Sequence, residues 1–143
     1  MSCCCSEKKI VRPENGPKAI GPYSLGVQAG HLVFTAGQIG IIPASGEIIE
    51  GGVEAETRQA LENVKAILEA AGTSLANVVK TTVFLHDIND FNKMNDIYGP
   101  FFPENPPARS AIQVAALPRG AAVEIESVAL VPCDCDCDCD CKG

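Results

Sequence analysis

The amino-acid sequence predicts a single α+β domain in which a mixed β-sheet carries two helices on one face. Residues 53–71 have apolar side chains at three- and four-residue spacing, which is typical of an amphipathic helix lying on a sheet. A shorter helical segment follows Asp90, and runs rich in β-branched residues lie before, between and after the two helices. The resulting order, β-β-β-α-β-α-β-β, is that of an α+β domain.

The first three strands are predicted in the N-terminal part of the chain. Lys8–Arg12 indicates a short edge strand, and the segment that follows contains the proline and glycine pairs of turns and extended loops. Ser24–Ala29 and Leu32–Ala36 are strand-like runs separated by Gly30 and His31, so they predict a β-hairpin.

The first helix is the clearest element of the sequence. Its apolar face is predicted to consist of Thr57, Ala60, Leu61, Val64, Ile67, Leu68 and Ala71. The opposite, polar face consists of Glu56, Arg58, Gln59, Glu62, Asn63, Lys65 and Glu69. Gly72 stands where a glycine commonly ends a helix. Core packing accounts for the apolar face, so we assign this helix a structural role.

The remaining elements follow from pattern and capping. Val78–His86 predicts an interior strand, because both of its faces are partly apolar. One of these faces carries Val79, Thr81, Val83 and Leu85. Asp90 is a favourable N-cap for a second helix that ends near Tyr98. Arg109–Ala115 and Ala122–Val131 predict the last two strands.

Composition excludes several functional classes. The net charge of −7 argues against a general nucleic-acid binder, because such proteins need surplus cations to contact phosphates. No apolar run approaches the roughly 20 residues of a membrane span, and the N-terminus lacks the apolar segment of a secretion signal. We therefore expect a cytoplasmic protein with no membrane partner, and a mitochondrial location is the alternative.

All eight cysteines lie near the two ends of the chain. They cluster at residues 3–5 and alternate with aspartate over residues 133–141. The pattern indicates two tails, residues 1–6 and 133–143, on either side of a folded domain at residues 7–132. The C-terminal run is either a low-complexity tail or a source of thiolate ligands for zinc or copper(I), and the sequence leaves both interpretations open. The predicted domain itself has no thiol that could act as a nucleophile.

Arg109 is the first candidate for chemistry in a sequence without a dinucleotide, P-loop or serine-hydrolase motif. His31 and His86 lack the spacing of metal ligands. Arg109 follows the proline-rich loop Pro103–Pro107 and opens a strand, so its guanidinium would be presented at little entropy cost. A guanidinium binds a carboxylate through two parallel hydrogen bonds. An exposed arginine at a sheet edge is the structural alternative.

A pair of acidic residues opens the last predicted strand. Strand alternation places Glu124 and Glu126 on one face, followed there by Val128 and Leu130. Carboxylates on an otherwise apolar face are costly unless they are paired, solvated or functional. One of them is therefore either an ion-pair partner for Arg109 or a general base that holds a water. Two like charges this close also raise the proton affinity of one of them.

At these residues the sequence resembles the RidA (YjgF) family, from about Glu7 to Pro132. The segments that carry the resemblance are Ala19–Ser24, Phe34–Ile39, Gln59–Val64, Val79–Val83, Asp87–Phe91, Pro107–Ser110 and Glu124–Glu126. Each segment is short, but all seven occur in order at family-like spacing.

The resemblance implies a chorismate-mutase-like fold and a homotrimer with a central barrel, with ligand sites in the clefts between neighbouring subunits. It implies hydrolytic deamination of 2-imino and 2-enamino acids, such as 2-iminobutanoate and 2-iminopropanoate, to 2-oxo acids and ammonia. These imines are made by pyridoxal-phosphate-dependent dehydratases, which would be functional partners. The resemblance implies no cofactor and no metal.

The resemblance also implies roles for four side chains. Arg109 would bind the substrate carboxylate, and Glu124 would position and activate the attacking water. Tyr23 and Asn95 match substrate-binding positions that shape the pocket and donate hydrogen bonds. The structural alternatives are that Tyr23 packs after the Gly-Pro turn and that Asn95 lies on a helix surface.

Three positions depart from the family pattern, and two other functions remain open. Ala36 replaces a frequent serine that contacts ligand, Ala111 replaces a frequent cysteine, and Pro106 replaces a phenylalanine before the strand. The alternative functions are an endoribonuclease or translation inhibitor of the same family, which the acidic charge disfavours, and a non-enzymatic trimer that binds small carboxylates. The last would need Arg109 but not Glu124.

Overall fold

The computed structural model describes residues 7–132, in which a six-stranded β-sheet carries two α-helices. The strands are β1 (Lys8–Val11), β2 (Gly26–Ala29), β3 (Leu32–Thr35), β4 (Val78–Leu85), β5 (Ala108–Gln113) and β6 (Val123–Leu130), and the helices are α1 (Gly52–Ala70) and α2 (Phe91–Tyr98). This order confirms the predicted α+β class. The two predicted tails, residues 1–6 and 133–143, lie outside the described residues. Within residues 7–132, no helix is long and apolar enough to cross a membrane.

The sheet is mixed, as predicted, and its strand order is β1-β2-β3-β6-β4-β5. Strands β4 and β5 are parallel, and every other neighbouring pair is antiparallel. The last strand, β6, is inserted between β3 and β4, so Glu124 lies in the middle of the sheet. Arg109 lies on β5 at the edge of the sheet.

Alternation along β6 shows which sheet face carries the helices. The buried side chains of this strand are Val123, Ile125, Ser127 and Ala129. The less buried ones, on the opposite face, are Glu124, Glu126, Val128 and Leu130. This confirms the predicted pairing of the two glutamates with two apolar residues on one face. Fully buried side chains of α1, such as Leu61 and Ile67, each contribute about 1.5–3 kcal/mol to holding the helix on the other face.

The predicted side-chain pattern of β4 is wrong at its first residues. The pairing of β4 with β6 shifts register between Val78 and Lys80. The extra residue of this β-bulge turns Val78 inward, where it is 6% exposed, and turns Val79 outward, where it is 41% exposed. The rest of the strand follows the prediction.

The N-cap of α2 also differs from the prediction. The helix begins after Asp90 as predicted, but the Asp90 side chain makes no capping hydrogen bond. Asp87 caps the short 3₁₀ turn that leads into the helix, because its Oδ1 accepts the Asn89 N–H at 2.9 Å. The capping chemistry is therefore one turn earlier than the sequence pattern indicates.

The sheet face opposite the helices exposes large apolar side chains. Phe34 on β3, Ile112 on β5 and Leu130 on β6 are each between 44% and 48% exposed. Strand registers place them on one face together with Glu124 and Glu126. We call this surface the open sheet face.

Candidate active site

A cavity of about 540 Å³ contains the Glu124 side chain in its wall. We call it the Glu124 cavity. Its other walls come from residues 17–25, residues 36–46 and Pro118. Most of these side chains are apolar. Within the described part of the chain, Glu124 is the only carboxylate in the lining and Lys18 is the only cation.

Glu124 is held against the backbone of residues 36–41. The N–H of Gln38 donates to the Ile125 carbonyl at 2.8 Å, and the Ile125 N–H donates back at 2.9 Å. This bridge brings Gly37 so close to Glu124 that a Cβ at position 37 would lie 2.5 Å from Oε2. A larger residue at 37 would displace the carboxylate.

The electrostatics of Glu124 favour its protonated form. Partial burial raises the pKa of Glu124 above its ordinary value, and repulsion from the nearby Glu126 carboxylate adds to the rise. The predicted effect of two adjacent like charges thus has the right direction, but burial is the larger cause. A carboxylate with a raised pKa is a stronger base once it is ionised.

Tyr23, which the family resemblance predicts to bind substrate, lies in the wall of the same cavity. Its hydroxyl oxygen accepts the N–H of Ile20 at 3.3 Å, so the hydroxyl proton remains available to a ligand. Ala36 also lines the cavity, where a serine would have added a hydroxyl group.

Two polar residues of α1 were predicted to face away from the core, and this prediction is wrong. Glu56 is 7% exposed and Asn63 is 2% exposed. Their side chains bind backbone groups near the Glu124 cavity: Glu56 accepts the Ala122 N–H, and Asn63 donates to carbonyls of residues 39 and 41. Periodicity could not identify them, because their partners are distant in sequence.

Arg109 lies in a second cluster, formed by β5 and α2. Its guanidinium carbon is 4.7 Å from the ring centroid of Tyr98 and 5.4 Å from that of Phe91. One guanidinium N–H points to the Met94 sulfur at 3.9 Å. Cation–π contacts hold the charged group in place while leaving its remaining N–H donors free for a ligand. We call these residues, together with Asn95, the Arg109 cluster.

Asn95 belongs to the Arg109 cluster through helical spacing. Phe91, Asn95 and Tyr98 recur at four- and three-residue intervals, so they share the helix face that meets Arg109. The Oδ1 atom of Asn95 is buried and has no hydrogen-bond partner among the described residues. The unpaired atom of Asn95 is therefore a hydrogen-bond acceptor, whereas the resemblance implied that this residue donates a hydrogen bond to the substrate.

Tyr98 forms the rigid floor of the Arg109 cluster. Its hydroxyl is 2.6 Å from the Thr81 hydroxyl on β4, directly opposite Arg109 in the parallel register. Burial raises the pKa of Tyr98, and the hydrogen bond to Thr81 and the Arg109 charge offset only part of that rise. The ring therefore stays neutral and available for the cation–π contact.

The two groups of candidate residues lie on opposite faces of the sheet. Arg109 pairs with Thr81, whose side chain is buried under the helices, whereas Glu124 pairs with Phe84 on the open sheet face. The predicted alternative of an ion pair between Arg109 and a β6 glutamate is therefore wrong within one chain. The structure brings Tyr23 together with Glu124 and Asn95 together with Arg109, but it does not bring the two halves together in one copy.

No group of three or more potential metal ligands occurs among the described residues. The Cys-Asp run, for which thiolate ligation was one interpretation, lies outside the described residues.

Comparison with known proteins places these features in a family. The model of the family described as endoribonuclease L-PSP matches residues 13–131. The chain belongs to the RidA family. The resemblance inferred from the seven short segments is thereby confirmed, and the match includes all four candidate residues.

Individual relatives are similar to this chain over nearly their whole length. A RutC family protein of Pyrococcus horikoshii is 53% identical over 122 residues, covering 85% of this chain and 97% of that protein. The human 2-iminobutanoate/2-iminopropanoate deaminase is 51% identical over 123 residues, covering 86% and 90%. The crystal structure of E. coli TdcF with bound serine has a TM-score of 0.82 and 45% identity, covering 87% of this chain and 99% of that chain.

Proposed function

We propose that this RidA-family protein hydrolyses 2-imino acids, such as 2-iminobutanoate and 2-iminopropanoate, to 2-oxo acids and ammonia. The observation that carries the proposal is a partly buried carboxylate with a raised pKa, Glu124, in the wall of a mainly apolar cavity. The name of the human relative supports the same reaction. The serine bound to TdcF supports a ligand with an α-carboxylate.

We further propose that the working site forms between two copies of the chain in a homotrimer. A small substrate touches groups only a few ångströms apart, but Arg109 and Glu124 of one copy are on opposite sheet faces. A neighbouring copy can supply the missing half. Packing of the open sheet faces into a central barrel would also bury Phe34, Ile112 and Leu130, whose exposure is costly in a monomer.

The proposed reaction needs orientation, a water and a proton path. Arg109 binds the substrate carboxylate through two N–H donors, and the Oδ1 of Asn95 accepts the imine N–H. Glu124 takes a proton from water as the water oxygen forms a bond to the imine carbon. The C=N π electrons move to nitrogen, and Glu124 returns its proton there to give a carbinolamine. Glu124 then takes the hydroxyl proton and passes it to the nitrogen, so the C–N bond breaks and the C=O bond forms as ammonia leaves. Water supplies every atom gained by the product, so nothing is oxidised or reduced.

The chemistry of the substrate indicates where it comes from. Such imines form when pyridoxal-phosphate-dependent dehydratases remove water from serine or threonine. They are electrophilic and already react with water unaided. A protein that orients the imine and supplies acid–base help adds a factor of about 10² to 10⁴. We assign no cofactor or metal to this site.

The test follows 2-oxobutanoate release while threonine dehydratase generates 2-iminobutanoate and semicarbazide traps the free imine. The wild-type protein is expected to speed keto-acid release. Arg109→Ala is expected to abolish both turnover and binding of 2-oxobutanoate, and Glu124→Gln to retain binding while losing turnover. Arg58→Ala, which removes an exposed arginine of α1, is the matched control.

Three results would contradict the proposal in different parts. No acceleration by the wild-type protein would contradict the reaction itself. Full activity of Glu124→Gln would contradict the role of Glu124 as the base. RNA cleavage with a steep salt dependence would favour the endoribonuclease function, although the cavity has one cation among its described residues and the chain carries a net charge of −7.

A further inference from the structure

Helix α1 carries a polar stripe whose side chains bind backbone segments on either side of the Glu124 cavity. Glu56, Gln59 and Asn63 recur at three- and four-residue intervals and so share one helix face. Gln59 donates from Nε2 to the Asn63 Oδ1 at 3.0 Å. Polar side chains this deeply buried are costly unless each finds a partner, and both Glu56 and Asn63 bind backbone groups instead of solvent.

Glu56 fixes the start of β6. Its Oε1 accepts the backbone N–H of Ala122 at 2.9 Å. The carbonyl of Ala122 accepts the His86 N–H at 3.0 Å, so this residue is held from both sides. Ala122 lies only two residues before Glu124. The direction in which the Glu124 side chain leaves the backbone therefore depends on the carboxylate of Glu56.

Asn63 holds the backbone of residues 39–41, which forms another part of the wall of the Glu124 cavity. Its Nδ2 donates to the carbonyl of Ile41 at 2.8 Å and to that of Ile39 at 3.3 Å. Between them, Gly40 lies so close to α1 that a Cβ there would be 2.7 Å from the Glu56 Cα. The same segment reaches Gly37, which contacts the Glu124 carboxylate.

We propose that Glu56 and Asn63 are positioning residues, which hold the Glu124 carboxylate at a fixed place in its cavity by binding the two backbone segments that flank it. The inference rests on the proposed function of Glu124 as the base. Neither residue reaches the substrate. A base must be placed to within about half an ångström to act efficiently, so loss of either contact lowers turnover more than it lowers binding.

The proposal has a consequence for the titration of Glu124. Glu126 on β6, Lys80 on β4 and Lys8 on β1 are titratable groups on its side of the sheet, and Lys18 and Tyr23 lie across the cavity. All of these stay in place when Glu56 is changed, because Glu56 lies on the helix side. Loosening the backbone lets the Glu124 carboxylate reach solvent. Its pKa should then fall toward the ordinary value, because burial is the main cause of the rise.

Two variants of Glu56 separate positioning from simple stability. Glu56→Ala removes the acceptor, and we expect kcat to fall about 10-fold to 100-fold while KM changes less than about threefold. The acidic limb of the pH–kcat profile should move to lower pH. Glu56→Gln keeps an oxygen that can accept the Ala122 N–H, so it should retain most of the activity and the wild-type profile.

A core variant away from the cavity is the control for loss of stability. Leu68→Ala removes fully buried volume near the other end of α1 and should lower the melting temperature without moving kcat or the pH limb. Should Glu56→Ala fail to fold, Asn63→Leu gives the same readings, since it keeps the volume but removes both donors. The proposal is overturned if the alanine variant keeps wild-type kcat and pH limb, if Glu56→Gln is as impaired as Glu56→Ala, or if Leu68→Ala reproduces the loss.

A second measurement separates this inference from the proposed function. The Glu124 titration is followed directly through the carboxyl carbon by nuclear magnetic resonance in wild type and Glu56→Ala. A lower titration midpoint of Glu124 in the variant supports the positioning role of Glu56, whether or not the wild-type protein hydrolyses the imine. If it does not, only the proposed reaction is contradicted. Equal midpoints contradict positioning even if the wild-type protein is an active deaminase.

Discussion

Glu124 combines two properties that a general base needs, a raised proton affinity and a fixed position. Its carboxylate faces a mainly apolar cavity and a second carboxylate, Glu126, on the same strand face. Both features favour the neutral acid, so the ionised form holds a proton from water more strongly than an exposed glutamate would. A structural glutamate on this face would gain nothing from such surroundings, which is why we assign it the chemical step.

The same property makes the stability of the domain depend on pH. The folded state binds the Glu124 proton more tightly than the unfolded chain does, because its pKa is raised on folding. The contribution of this group to the free energy of unfolding is therefore largest when the carboxyl is protonated. It is lost as the pH rises from the ordinary value through the raised pKa, and it is constant above that.

Replacement of Glu124 tests this dependence. Glu124→Gln cannot ionise, so we expect its melting temperature to exceed that of the wild type by up to a few degrees at about pH 8, and the difference to shrink toward about pH 4. The effect is small because the carboxylate is only partly buried. Scanning calorimetry measures it, and Glu62→Gln, which removes an exposed carboxylate, is the control. A difference that grows as the pH falls would have the wrong sign.

The segment at residues 36–41 lies between helix α1 and the Glu124 side chain and contacts both. It is irregular, yet its backbone bonds to Ile125 on one side and to Asn63 on the other. Two glycines allow the close approach, Gly40 against α1 and Gly37 against Glu124. Neither position offers room for a side chain.

We expect Gly37→Ala to lower kcat at least about 10-fold, because the new Cβ occupies space 2.5 Å from the Glu124 Oε2 and turns the carboxylate away. Gly99→Ala is the matched control, since its Cβ meets nothing within 4 Å and its backbone is helical. Steady-state kinetics on 2-iminobutanoate compares the two. Equal activity of both variants would show that the contact at Gly37 does not constrain the base.

At the level of secondary-structure elements, the sequence predicts those features that depend on residues close together along the chain. The hairpin, helix α1 and the alternation along β6 follow from periodicity and glycine placement, and all three are confirmed. The bulge at Val78–Lys80 was not predicted, since it depends on the pairing partner. The burial of Glu56 and Asn63 was missed for the same reason, because Ala122 and Ile41 lie far along the chain.

At the level of the whole molecule, the separation of Arg109 from Glu124 is a consequence of topology. Strand β5 adds to the sheet in parallel beside β4, which turns Arg109 toward the helices, while β6 inserts on the other side of β4 and turns Glu124 away from them. Strand alternation alone gives each side chain a face relative to its own strand. It does not say which face of one strand matches which face of another, so the separation could not be read from the sequence.

A site divided between copies can be tested by mixing two inactive variants. Arg109→Ala keeps the Glu124 half and Glu124→Gln keeps the Arg109 half, so each variant alone should lack turnover. In the proposed ring of three, each interface would join the Arg109 half of one chain to the Glu124 half of the next. Random mixing of equal amounts should therefore restore about a quarter of the wild-type activity, because that fraction of interfaces receives both intact halves.

The mixing experiment needs proof that subunits have exchanged, so the two variants are unfolded together, refolded, and weighed by native mass spectrometry with one of them isotopically labelled. A mixture prepared without unfolding shows the activity before exchange. Exchange of the double variant with an equal amount of wild type should halve the activity of the wild-type subunits, because only about a quarter of the interfaces then join two wild-type chains. Mixed trimers without restored turnover would place Arg109 and Glu124 in separate functions. Activity in a monomeric fraction would show that one copy suffices, and would contradict the assignment of the opposite sheet faces to a shared site.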